Sequence, residues 1–282
     1  MANPSLVDTQ VLLTFHLPGG LVEERVALSA GAELTLGLAS IVGPEPSYAI
    51  EFSSLGAPVA VALQHRFSRG LTPLGVSLSM SSRAPALDQW ITPLDVFAEG
   101  YQAPLLRLFA PEDRSEVIIT AFSQGDPELF RQVVPAGAFL ELPLELSNGS
   151  YALKIQSDNP VLAGVLNPSL EPLDHAWISP AESFSTLSLP IPNYRTQLSL
   201  TNPNAVPISV RVDVENAGRS TIQSVQLEPL SVTAVPVSGD FVAMESANQF
   251  FAALQLTDPL GYALISPSEN QNLGSELSVL VR

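Results

Sequence analysis

Apolar residues recur at every second position in three stretches of this chain, each opened by an aromatic side chain and followed by a proline about nine residues on. They are Tyr48–Phe52 before Pro58, Tyr151–Ile155 before Pro160, and Phe250–Leu254 before Pro259. A period of two puts alternate side chains on one face of an extended segment, so each stretch reads as a β-strand; in the second, Tyr151, Leu153 and Ile155 share a face. The stretches lie about 100 residues apart, which predicts three copies of one β-rich unit. Proline cannot donate to a sheet's hydrogen-bond ladder, so each proline is expected to mark a chain reversal. After Pro160 a second short strand, Val161–Val165, is expected.

Two further elements recur upstream. Val26–Leu34, Val133–Leu140 and Val225–Val232 each read as two strands joined across a turn of small residues or proline. Leu105–Pro111 with Glu116–Phe122 matches Gln197–Pro203 with Ile208–Val214, again two strands joined at a proline turn. In the first unit only the second strand of this pair is visible, as Val11–Phe15. Conversely, Glu276–Arg282 reads as a strand with no counterpart after Pro58 or Pro160. Two explanations compete: a removed N-terminal anchor segment, or a last strand that returns to fill the vacancy in the first unit and closes the units into a ring. Closure would remove unpaired strand edges, which are an aggregation hazard. The expected fold is therefore all-β: three tandem β-sandwich-like, immunoglobulin-like repeats at 1–85, 86–175 and 176–282, the last including the C-terminal strand.

Composition narrows what such a chain can do. With 46% hydrophobic and 14% charged residues it has ample material for several cores. Its 25 prolines are spread along the chain, which suits many short strands and opposes long helices. A formal net charge of −16 would repel a phosphate backbone, so nucleic acid is not expected as a partner. The acidity peaks over 86–180, with 13 acids against 4 bases. It reads first as a solvated surface, with a face for a basic partner or cations as the sharper alternative. The absence of cysteine excludes disulfides, thiolate metal sites and cysteine nucleophiles. No apolar run approaches the roughly 20 residues of a membrane helix, and the opening residues lack a signal peptide's basic and apolar regions.

The only tryptophans fall in two similar phrases, Asp88–Pro93 with Trp90 and Asp174–Pro180 with Trp177. Read as equivalent linkers before the second and third units, they predict indoles that pack each linker against a neighbouring unit. An exposed platform for a sugar ring or a partner's loop is the functional alternative, and Asp174 and His175 beside Trp177 complete that candidate surface. The phrases Ser150–Val161, Asp174–Trp177 and Leu198–Pro203 resemble a family of uncharacterised actinobacterial exported proteins with repeated β-rich units, over roughly residues 100–270. That resemblance implies an envelope location and an N-terminal anchor or signal that this sequence lacks. It brings no assigned activity or site residues.

Catalytic signals are weak. His16, His65 and His175 lie far apart without metal-ligand spacing and are expected to be solvent-exposed. There is no Gly-x-Ser-x-Gly elbow, phosphate loop or calcium loop. Asp113, Glu116, Asp126 and Glu128 could in number supply a glycosidase pair, but they fall in polar turns where acids are solvated. The sequence thus points to a non-catalytic, extracytoplasmic scaffold or docking surface for another envelope protein, with no cofactor or metal. The alternative is an array of carbohydrate-binding modules using Trp90 and Trp177.

Overall fold

The computed structural model describes the chain except residues 18–19, 44–47, 70–71, 81–83, 97–102, 124–125, 169–174, 259–260, 266–275 and 282. For residues 62–69, 72–80, 168, 175–176, 257–258, 261–265 and 276–281 it gives backbone and strand pairing only. The strands, in chain order, are β1 (Thr9–Leu17), β2 (Gly20–Leu28), β3 (Tyr48–Ser54), β4 (Ala62–Arg69), β5 (Thr72–Met80), β6 (Ala86–Val96) and β7 (Leu105–Ala110). There follow β8 (Ser115–Phe122), β9 (Glu128–Val134), β10 (Ala138–Pro143), β11 (Gly149–Pro168), β12 (His175–Ile178), β13 (Phe184–Pro190) and β14 (Arg195–Thr201). The last six are β15 (Ile208–Asn216), β16 (Arg219–Leu227), β17 (Val232–Val237), β18 (Phe241–Asp258), β19 (Gly261–Ile265) and β20 (Glu276–Val281). Among the described residues the helical content is one turn, Ala39–Val42. The molecule is all-β, as its alternating apolar pattern requires.

Two seven-stranded sheets share one topology. The first runs β10-β7-β11-β8-β9, with β6 and β12 also paired to β11; the second runs β17-β14-β18-β15-β16, with β13 and β19 also paired to β18. The central strand is unusually long in each case. The first part of β11 pairs with β6 and β8, and its second part with β7 and β12. Each sheet therefore folds over along its central strand into two facing layers, with Ile91, Val117, Ile119, Leu153 and Ile155 from one layer meeting Leu106, Leu108, Ala163 and Val165 from the other. The other large sheet buries Val210, Val212, Val242 and Met244 against Leu198, Leu200 and Leu254 in the same way.

Burial follows each strand's place. β8 alternates between buried and more exposed positions, as a strand covered on one face should. β7, by contrast, is buried at five successive residues, Leu106 to Ala110, because it is covered on both faces.

The four-stranded sheet, β2-β1-β3-β20, reproduces part of the same order, with β2, β1 and β3 standing where β9, β8 and β11 stand. β20 lies against β3 in the place that β6 takes beside β11 and β13 takes beside β18. The last strand thus returns to the first sheet. β4 and β5 pair as an antiparallel hairpin, as the end of β18 pairs with β19.

Three sequence expectations are corrected. Pro160 does not reverse the chain; β11 runs through it, with a register shift between Gln156 and Val161 where the ladder is interrupted. Phe250 corresponds to Val161 and not to Tyr151, since Phe251 pairs with Thr201 just as Leu162 pairs with Phe109. Each long strand carries two apolar runs, and the runs are easily matched one step out of phase. Nor is the first unit wholly without its first strand: Ala2 bridges Glu33 and Ala60, the positions corresponding to β17 and β18 around Thr201.

A side-chain network confirms that correspondence. The Asn202 amide donates to the carbonyls of Val206 (2.8 Å), Leu227 (3.2 Å) and Glu228 (3.0 Å). Asn3 donates to Val7 (2.9 Å), Leu28 (3.1 Å) and Ser29 (3.1 Å), at the same sequence separations. Both asparagines precede a proline, and both are buried.

Candidate functional site

The sequence singled out Trp90, Trp177, Asp174 and His175. Trp90 and Trp177 are not in linkers and are not equivalent: Trp90 is in β6 opposite Lys154, and Trp177 is in β12 opposite Leu166, towards the other end of β11. The shared phrase around them is coincidental with respect to topology. His175 opens β12 opposite Pro168, and its side chain is outside the described set. Asp174 lies outside the described residues. The structure therefore does not gather the four residues at one described site.

Trp90 fills the seam between the two large sheets. Its ring stacks on Phe122 of its own sheet (5.7 Å between centroids, planes at 26°) and meets Phe251 of the other (5.7 Å, 40°). The Lys154 ammonium sits 5.7 Å from the indole centroid and 3.4 Å from the Asp88 carboxylate. The Trp90 carbonyl accepts a hydrogen bond from the Ala181 N–H at 2.6 Å. Farther along β6, the buried Thr92 hydroxyl bonds that of Thr201 across the seam at 2.6 Å. The buried Asp95 carboxylate accepts from Ser150 and from Gln255 of the other sheet, and the Asp95 carbonyl accepts from Asn167 (2.9 Å). Polar groups cut off from water in this way must find partners, and here Thr92 and Asp95 each find one across the junction.

Trp177 packs where β11 has a glycine. A Cβ added at Gly164 would fall 2.1 Å from the indole Cζ2, so the ring occupies the space a side chain would take. Arg107, opposite Gly164 on β7, is buried, lies 5.9 Å from the indole centroid and pairs with Glu141 at 2.9 Å. The indole N–H donates to the Ser179 hydroxyl (3.2 Å).

Trp177 and Phe139 pack around Ala49, Phe109 and Leu162, which join the four-stranded sheet to its neighbour. There His16 meets Phe109 edge-on (4.8 Å, 61°) and lies 3.5 Å from Glu51. His16, expected to be solvent-exposed, is largely covered instead; it stands near the end of β1, where the two sheets meet. The His65 side chain, in β4, lies outside the described set.

Of the acids considered for glycoside chemistry, Asp113, Glu116 and Asp126 are exposed and Glu128 is half-buried; Glu116 and Glu128 lie in β8 and β9 and not in turns, and Glu116 pairs with Arg114 at 3.0 Å. Glu116, Arg131, Gln132, Gln156 and Asp158 line a wide, shallow concavity over β8, β9 and β11. Asp158 is held by the Glu116 backbone N–H (2.7 Å) and the Ser115 hydroxyl (3.1 Å). These donors, the Glu116 N–H foremost, keep its carboxyl below the usual range. Among the described residues no three histidine or carboxylate side chains are grouped to hold a metal ion, and no helix is long and apolar enough to cross a membrane. Val117, Ile118 and Val133 complete the lining of the concavity, which holds no aromatic side chain.

A family model described as "Family of unknown function (DUF5719)" matches residues 1–238. No curated protein matches the chain. Two solved structures of Bacillus subtilis oxalate decarboxylase share low similarity with it. A point mutant is 11% identical over 78% of this chain and 75% of the other, with a TM-score of 0.16. The enzyme at pH 4.6 is 10% identical over 84% and 86%, also with a TM-score of 0.16.

Proposed function

We propose that this chain, which belongs to that family of unknown function, is a non-catalytic cell-envelope protein: a stiff scaffold that presents a docking surface to another envelope protein. The observation that carries this reading is the construction of the seams. Trp90, Thr92 and Asp95 along one strand each reach a residue of the neighbouring sheet, namely Phe251, Thr201 and Gln255. Hinged units that reorient around a substrate would be joined by smaller and wetter contacts. Here the groups that could have been displayed, two tryptophans and a buried carboxylate, are used in holding sheets together.

The acidic exterior adds long-range attraction for a basic partner and keeps the protein soluble near a surface. The concavity over β8, β9 and β11 offers Arg131, Gln132 and Gln156 for polar contacts around a partner segment.

The reading is tested by placing a photo-crosslinking residue at Gln132 and at Gln156 in cells and identifying what is captured in the envelope fraction. A single reproducible envelope protein, lost when Arg131 and Glu116 are charge-reversed, is the expected result. Recovery of the protein from the cytosolic fraction, or crosslinks that do not change on charge reversal, would overturn it.

A further inference from the structure

We infer that the side of β3 covered by β20 is a strand-acceptor site whose occupant can come from a second copy of this chain, giving a reciprocally strand-exchanged dimer. The three sheets differ in how one position is filled. Beside β11 stands β6, and beside β18 stands β13; each then runs directly into the next strand of its own sheet, β7 and β14. Beside β3 stands β20, and both large sheets intervene between them in the chain. The same position is thus filled locally twice and from a distance once.

The acceptor has a reason to be filled. β3 carries Tyr48, Ile50 and Phe52, all buried in the core of the four-stranded sheet. With β20 gone, the row of N–H and C=O groups on that side of β3 would lie open along an apolar strand, and such an edge pairs with whatever strand is available. The donor specifies its own register, from Glu276 opposite Ser53 to Val281 opposite Tyr48. Nothing in this antiparallel pairing depends on the two strands belonging to one molecule. A second copy presents the same six residues to the same edge, and two copies exchanging β20 satisfy both acceptors with two-fold symmetry and leave neither open. Intramolecular pairing is favoured by effective concentration when the protein is dilute; exchange gains as protein concentration rises.

The absence of cysteine makes the test clean. Glu51 and Ser278 face each other in the β3–β20 register. One copy of the full chain carries Glu51→Cys and another carries Ser278→Cys. The two are mixed, held at high concentration, oxidised and run without reductant. Neither single variant can crosslink its strands within one molecule, so a mixed disulfide dimer forms through exchange. The expected result is a mixed dimer several-fold above that from Glu51→Cys mixed with Gln223→Cys, whose cysteine lies on the outer strand β16. Equal yields from both mixtures would overturn the inference. A chain carrying both Glu51→Cys and Ser278→Cys provides the second measurement. It should form an internal disulfide when dilute, and its failure to do so would remove the β3–β20 pairing on which the exchange depends.

Discussion

At the scale of single residues, Asn202 does the most with the least exposed surface. Its amide makes five hydrogen bonds: three carbonyls accept from its nitrogen, and its oxygen accepts from the Asn204 backbone N–H and side-chain amide. Replacing it by alanine would leave the Leu227 and Glu228 carbonyls short of a donor in a place water reaches poorly. Asn202→Ala should therefore cost about 2–3 kcal/mol, read from urea unfolding, and Asn204→Ala clearly less. Asp158 makes a prediction of a different kind. Its carboxyl titrates below its ordinary range because the Glu116 N–H and Ser115 hydroxyl donate to the charged form. The stability it adds is present above the unfolded-state value, near 3.9, and is lost as pH falls through the lower folded value. Thermal melts of Asp158→Asn should lie below those of the parent at neutral pH, and the gap should close as pH falls below the carboxylate range. A gap that stays constant down to acid pH would mean that the charge is immaterial.

At the scale of elements, the packing of β12 against β11 turns on one missing side chain. Gly164→Ala would drive a methyl group into the Trp177 ring, which is held by Arg107 above and by Ser179 at its nitrogen. Overpacking of this kind costs about 1–3 kcal/mol. In a Trp177→Ala background most of that penalty should vanish, and a double-mutant cycle by denaturant unfolding would measure the coupling. Strands with one covered face were legible in the sequence: β8 and β15 alternate as written, and each follows a break between strands that holds the expected proline, Pro111 or Pro203. The long strands were not. β11 contains two apolar runs, one on either side of Pro160, and local pattern cannot distinguish one interrupted strand from two joined by a turn. Trp90 and Trp177 share a phrase yet occupy different strands, because their tertiary neighbours, Phe251 and Gly164, are remote in sequence. The signal that could have located the first unit's beginning was present, as Asn3–Pro4 and Asn202–Pro203, but it is only two residues long and lies outside any apolar run.

At the scale of the whole molecule, a net charge of −16 is spread over sheets that pack closely together. Mutual repulsion of so many carboxylates opposes the compact state and weakens as salt shortens the screening length from about 30 Å at 0.01 M to about 3 Å at 1 M. The melting temperature should rise by a few degrees across that range of sodium chloride, followed by circular dichroism. A fall would show that exposed pairs such as Arg114–Glu116 outweigh the repulsion.

The meeting of β20 with β3 also imposes an order on biosynthesis. The two seven-stranded sheets can complete themselves from consecutive stretches as they leave the ribosome, whereas β3, made long before them, stays without its neighbour until residues 276–281 emerge. Over that interval one edge of the four-stranded sheet stays unfinished, and there a chaperone would have the longest opportunity to bind.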